Sequence, residues 1–402
     1  MALTLRTLRY DELATYQHVF NQAFLSDSAE DRLERWRDVF EPDRHHGVFE
    51  DGELLAGAGI QTRDITVPGG GPQPVAAVTG VAVKPGHRRR GLLTSLMTAQ
   101  LKTLHDEGRE AIAALWASEA GIYDRFGYGL AAEFNRMSVP AKAAFRPGVT
   151  TGGTRLREAP AAEAMPLVKA IYDRVRPSRT GWLSRVDAMW DHHLADEEHD
   201  RDGLTAYRYV LHPHGYAVYR VKGNWVDQGP RNELHVREIA AETDEAYAAL
   251  YRYLLDLDMV GELKFFTASD DPVLHLLADQ RLALRSRADS LWVRVVDVDR
   301  ALPLRRYLSD VDAVLDVRDA FCPWNAGRWR LTVKDGEASV RRVDDDPDVE
   351  LDVQALGAAF MGGTRLATLA RAQRVRELTP GALNALSHAF LGDREPHCPE
   401  VF

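Results

Sequence analysis

The stretch Val81-Ala82-Val83-Lys84-Pro85-Gly86-His87-Arg88-Arg89-Arg90-Gly91-Leu92-Leu93 changes its hydrophobic period halfway along. Upstream, Val75 to Val83 reads as a strand that follows the loop Val67-Pro68-Gly69-Gly70-Gly71-Pro72. Downstream of Pro85, residues Leu92, Leu93, Leu96, Met97, Gln100, Leu101 and Leu104 fall on one side of a 3.6-residue period, which predicts an amphipathic helix. Ala111-Ile112-Ala113-Ala114-Leu115-Trp116 is then an apolar run of strand length, as a buried parallel strand requires. Strand, basic turn, helix and strand make a βαβ unit. Further upstream, two apolar runs flank Asp51-Gly52, the signal of a tight hairpin.

A helix start leaves several N–H groups unpaired and carries positive partial charge, so a phosphate resting there gains from both. Gly91 lets a ligand approach the backbone, and the guanidiniums of Arg88 and Arg89 can neutralise its charge. Taken alone, three arginines before a helix are equally a solvated basic face or a crude nucleic-acid patch. The preceding strand and the following helix select the phosphate cradle. The formal net charge of −10 also argues against general nucleic-acid affinity, which needs a surplus of Lys and Arg, and the chain lacks an aromatic platform for bases.

At 402 residues the chain exceeds one hydrophobic core, and 45% apolar with 27% charged residues is ordinary for a globular protein. Two cysteines, Cys322 and Cys398, permit one disulfide at most. No run of 18 or more apolar residues occurs and the N-terminus lacks signal-peptide order, so a cytoplasmic protein without a membrane span is expected. Divisions are expected near a Pro/Gly/Thr-rich linker at 140–153 and near 296, giving units 1–145, 146–295 and 296–402. In the middle unit Glu233 to Ile239 alternates like a strand, and Thr243-Asp244-Glu245 opens a helix that runs through Leu255, without the basic loop. The cluster Asp191-His192-His193 is mixed and adjacent instead of spaced for one coordination sphere, so no metal is expected.

Together the Val-x-Val strand and the Arg88…Gly91 loop resemble those of the GNAT (GCN5-related N-acetyltransferase) superfamily, with Leu93 departing from its usual small last residue. The segments His87–Leu93, Ile122-Tyr123-Asp124-Arg125-Phe126-Gly127-Tyr128-Gly129 and His214-Gly215-Tyr216-Ala217-Val218-Tyr219-Arg220-Val221 sharpen this to the enhanced intracellular survival (Eis) acetyltransferases. The resemblance implies an α/β (α+β) chain: two tandem GNAT-like mixed-sheet domains, the second degenerate, and a C-terminal domain of sterol-carrier-protein type, assembled as a homohexamer. It implies acetyl-CoA as co-substrate, held by Val81, Val83, Arg88, Arg89, Gly91, Leu92 and Ser118, with the Val83 N–H facing the thioester oxygen.

By the same resemblance Tyr123 protonates the departing thiolate. Reference pKa values of about 10 for phenol and about 8.5 for thiol make that transfer nearly balanced. The carboxylate of the terminal Phe402 would be the base. Asp27 and Trp36, in an early helical segment Ser26–Trp36, and Trp190 match acceptor-pocket positions, although a capping Asp and core tryptophans account for them equally well. The family can carry an acid directly before its terminal Phe; this chain has Val401, with Glu400 one step back. The function expected is acetylation of amines on polycationic acceptors, aminoglycoside-like compounds or lysine side chains, by direct transfer. The alternative is an acyl-CoA or lipid sensor with a vestigial transferase site.

Overall fold

The computed structural model describes residues 3–27 and 30–402, the side chains of residues 30 and 31 excepted. Residues 28 and 29 of the expected early helical segment therefore lie outside the described residues. The first sheet contains β1 (Leu3–Thr7), β2 (His46–Glu50), β3 (Glu53–Val67), β4 (Gly71–Val83), β5 (Ile112–Leu115) and β6 (Gly129–Leu130). Asp51 and Gly52, at φ 50° and 85°, make the turn between β2 and β3, since a two-residue hairpin needs positive φ at both positions. Helices α1 (Leu13–Phe24) and α2 (Glu30–Val39) follow β1, and α3 (Leu92–Glu107) joins β4 to β5. Leu92, Leu96, Met97, Gln100, Leu101 and Leu104 are the buried face of α3.

The second sheet contains β7 (Glu133–Pro140), β8 (Arg157–Ala159), β9 (Arg208–His212), β10 (Gly215–Lys222), β13 (Asn232–Ala241), β14 (Val260–Thr267) and β15 (Leu284–Asp289), with a small hairpin β11 (Trp225–Val226) and β12 (Gly229–Pro230) beside it. Its order is β15-β7-β14-β13-β10-β9-β8. Burial alternates along β13, as its sequence requires.

Two strands cross the divisions expected from sequence. β7, upstream of the linker, pairs with β14 and β15 in the second sheet, and β16 (Trp292–Val295) inserts between β5 and β6 in the first, whose order is β1-β2-β3-β4-β5-β16-β6. Each sheet thus contains a strand from the other's side of the linker, and the two cannot separate without breaking ladder hydrogen bonds.

A third sheet, β17 (Val311–Arg318), β18 (Gly327–Lys334), β19 (Glu337–Arg342), β20 (Val349–Asp352) and β21 (Val375–Glu377), is ordered β19-β18-β17-β20-β21. Its helix Val353–Phe360 lies so close to the first sheet that a Cβ on Gly357 would stand 2.3 Å from the Val293 carbonyl oxygen. One apolar core runs through both, from Ile112 and Val293 to Leu331 and Phe360. A buried ion pair, Arg294–Asp319 at 2.6 Å, crosses the same contact. Beyond Ala389 the chain turns back toward the first two sheets. Both cysteines are buried and free, and no helix among the described residues is long and apolar enough to cross a membrane.

Candidate active site

β4 and β5 run parallel and in register only at Ala76–Ala113 and Ala77–Ala114. Beyond that the strands part, and β4 continues to Val83 with one edge unpaired by β5. A bulge sharpens the divergence: Gly57 faces Ala82 and Gly59 faces Thr79, so Gly80 and Val81 stand opposite Ala58 alone. Gly80 takes φ +62°, where a side chain is strained. Its carbonyl accepts a 2.6 Å hydrogen bond from the buried Tyr16 hydroxyl, and a Cβ there would stand 2.2 Å from that oxygen. The fork is therefore built into the sheet and held by a side chain from α1.

At its mouth the Lys84–Gly91 loop climbs onto α3. Arg89 and Gly91 take φ +65° and +81°. Gly91 is the N-cap, no side chain caps the helix, and a Cβ on Gly91 would meet nothing within 4 Å. The first amides of α3 thus face open space beside exposed Arg88 and Arg89, an anion site in charge and access. Arg88 also reaches the Ala23 carbonyl at 3.2 Å. Arg90 is turned away, paired with Glu50 at 2.5 Å. Leu92 offers this site only its backbone, its side chain being in the core. This set of open fork, uncapped helix and two guanidiniums fits a pantetheine arm ending in a diphosphate.

A cavity of 520 Å³ opens from the fork toward α1, α2 and the C-terminal tail. Val81, Leu115, Ser118 and Tyr123 line the fork side; Phe20, Phe24 and Trp36 line the far side; Glu400, Val401 and Phe402 close it. The structure thus brings Tyr123, Ser118, Val81, Trp36 and Phe402 to one space. Val83 lies beyond it, half-buried beside the α3 core. Asp27 is exposed and does not line it. Neither does Trp190, which is 2% exposed in the middle core against Tyr172 and 4.4 Å from the Arg185 guanidinium.

Tyr123 ends the short helix α4 (Ala120–Tyr123) and is buried with its ring edge-on to Tyr128, centroids 5.8 Å apart. Burial penalises the phenolate and pushes its pKa up to about 12. The near-balance with a thiol expected from reference values is therefore absent in the resting site, because desolvation acts on the phenol before any ligand enters. His45 and His193, which also line the cavity, are held neutral by burial at about 4, with Arg185 and Arg237 lowering His193 further. His193 is engaged with Glu238 at 3.1 Å and Arg237 at 2.8 Å.

The residues that sequence reasoning missed hold the tail. Glu400 is buried and accepts from Arg63 at 3.0 Å and from Arg185 at 2.9 Å. The partners lie 337 and 215 positions away, so no local pattern joins them. Val401 is 64% exposed, so the acid of this tail points inward and the apolar residue outward.

Family profiles for acetyltransferase (GNAT) domains match residues 4–131 and 181–295, and a sterol carrier protein domain profile matches residues 298–399. An uncharacterized N-acetyltransferase of Streptomyces avermitilis is 39% identical over the whole of both chains. N-acetyltransferase Eis of Mycobacterium tuberculosis is 37% identical over 86% of this chain and 85% of its own. The crystal structure of Eis1 from Mycobacterium abscessus superposes with a TM-score of 0.89 at 35% identity, covering 99% of this chain and all of that one.

Proposed function

Because this chain belongs to the Eis family of GNAT N-acetyltransferases, we propose that it transfers an acetyl group from acetyl-CoA directly to an amine in the 520 Å³ cavity. The observation that carries this reading is the convergence on that cavity of the forked strand, Tyr123 and the chain's own terminus.

The α3 amides and the guanidiniums of Arg88 and Arg89 bind the diphosphate, and Gly91 gives it access. Val81 and Ser118 border the pantetheine arm. Bound acetyl-CoA supplies a thioester carbon open to attack. The thioester sits at the fork-side rim of the cavity, where the Val83 N–H, on the stretch of β4 that β5 leaves unpaired, donates to its oxygen as negative charge develops. The Phe402 carboxylate takes a proton from the attacking amine as its nitrogen bonds to the acetyl carbon. Tyr123 gives its proton to sulfur as the carbon–sulfur bond breaks. A carboxylate with a reference pKa near 3.5 is a weak base, so a water relay or desolvation by the ligand assists it.

Trp36, Phe20 and Phe24 offer ring faces to an ammonium group, and Asp27 stands outside the cavity lining, available to a long acceptor. Aminoglycoside-like amines and lysine side chains are the acceptors the family relation brings forward, and Trp190 acts on them only through Arg185 and the tail. In this reading 1–145, with β7 given up to the second sheet and β16 taken in return, is the catalytic unit, 146–295 the degenerate unit and 296–402 the sterol-carrier-like unit, in a cytoplasmic homohexamer.

Thiol release from acetyl-CoA, measured against a panel of amines with mass-spectrometric detection of the product, tests the proposal. The full chain is expected to release thiol only with an acceptor present, and a chain lacking Phe402 to lose most of that rate. Cofactor binding without acceptor-dependent thiol would refute transfer.

A further inference from the structure

The second sheet repeats the fork. β13 and β14 are parallel from Asn232–Val260 to Val236–Phe265 and then part, β13 running on to Ala241 and β14 to Thr267. Helix α5 (Asp244–Asp256) follows β13 as α3 follows β4. Its start differs in kind: the Thr243 side chain caps the Ala246 amide at 3.2 Å, and Asp244 and Glu245 occupy the first turn. One of its orphan donors is already satisfied and two carboxylates repel anions, so this fork cannot cradle a diphosphate.

The chain itself enters instead. A cavity of 320 Å³ at this second fork is walled by Arg237, Glu238 and Phe266 on one side and by residues 394, 395 and 397–401 on the other. The Glu395 amide donates to Asp270 at 3.0 Å, and the His397 amide to the Thr180 carbonyl at 3.0 Å. Gly181, at φ +94°, lies so close beneath the tail that a Cβ would stand 2.6 Å from the His397 carbonyl oxygen. At the far end Glu400 meets Arg63 of the first sheet and Arg185, which is bidentate on Glu238 at 2.8 and 3.2 Å. Glu238 lies on β13 just past the divergence and also accepts from Tyr216 at 2.6 Å. These charged side chains are at most 5% exposed. Burial alone would raise the Glu400 carboxyl; Arg185 and Arg63 outweigh it and hold it below its ordinary value.

We propose that the degenerate fork is the receptor for the chain's own C-terminal segment, and that Glu400, clamped by Arg63 and Arg185, is the positioning residue that sets Phe402 in the transfer cavity. The catalytic half of this statement rests on the reading of the Phe402 carboxylate as base; the docking half does not.

Glu400→Gln keeps the shape and one acceptor, and leaves Arg185 on Glu238 and Arg63 on the Ser184 carbonyl, at 2.5 Å. Gly181→Ala disturbs the tail from the opposite side. In the full chain, release of Phe402 by carboxypeptidase and hydrogen exchange of residues 395–402 are measured beside kcat and the acetyl-CoA KM. Loss of a charge-assisted clamp is expected to speed Phe402 release and lower kcat on the order of tenfold to a hundredfold, with KM held within about twofold and Glu400→Asp recovering part of the loss. Wild-type Phe402 release, or wild-type kcat, in Glu400→Gln overturns the proposal. If deleting Phe402 leaves kcat intact, the base reading fails by itself, while release and exchange still decide whether the tail docks in the fork.

Discussion

Replacing Tyr123 by Phe removes one oxygen and keeps the ring that packs edge-on against Tyr128. The variant should fold with a stability loss of no more than about 1 kcal/mol, since at most one neutral hydrogen bond is at stake. The rate effect follows from the environment of the phenol. Its pKa of about 12 lies roughly 3.7 units below water at 15.7, the donor that would take over in the variant. With about half of that gap felt in the transition state, kcat should fall about seventyfold, ~2.5 kcal/mol, close to the lower end of the usual range for a general acid. Because the phenol stays protonated to high pH, it should impose no alkaline fall in wild-type kcat below about pH 10. Initial rates of thiol release at saturating amine, over pH 7–9.5 and varied acetyl-CoA, separate kcat from KM. A loss under about fivefold, or a KM rise that accounts for the loss in kcat/KM, would refute the acid role.

Arg88 and Arg89 stand exposed at the uncapped start of α3, whereas Arg90 is engaged with Glu50. Replacing Arg88 and Arg89 by Ala should raise the acetyl-CoA KM about tenfold or more and weaken its salt dependence, while Arg90→Ala should change it less than about twofold; calorimetric titration with coenzyme A at two ionic strengths tells these apart. His45 and His193 have folded pKa values of about 4 against 6.5 for the free side chain. Their folded values are depressed, so their stabilising contribution is whole above about pH 6.5 and falls as pH drops toward 4, by about 1.4 kcal/mol per pH unit for each. Urea unfolding at pH 7.5, 6 and 5 should show that decline, and His45→Asn should remove the His45 share of its slope; a pH-independent midpoint would show that neither histidine is held neutral.

Local chemistry was legible from the sequence. The Asp51-Gly52 hairpin, the α3 stripe and the Thr243 start of α5 each depend on residues within one turn or one pleat of one another, so periodicity and turn preference fix them. The βαβ unit and the family followed from segments a dozen residues long, and with them came the placement of Tyr123 beside the fork. The early acceptor-pocket reading was less complete: Trp36 lines the cavity, but Asp27 and Trp190 do not.

Tertiary structure decided the rest. No local signal in residues 133–140 or 292–295 says which unit they belong to; only the ladder partners available after collapse assign β7 to the second sheet and β16 to the first. The shift of Tyr123 to about 12 is a property of the atoms that exclude water from it, not of its neighbours in sequence. No local pattern pairs Glu400 with a cation; Arg63 and Arg185 reach it from 337 and 215 residues away once the chain has folded. Sequence sets what a segment of ten or so residues can do alone, because hydrogen-bond geometry and side-chain period act at that range. Charge pairing and desolvation act through space, and their partners are chosen only when the chain has folded.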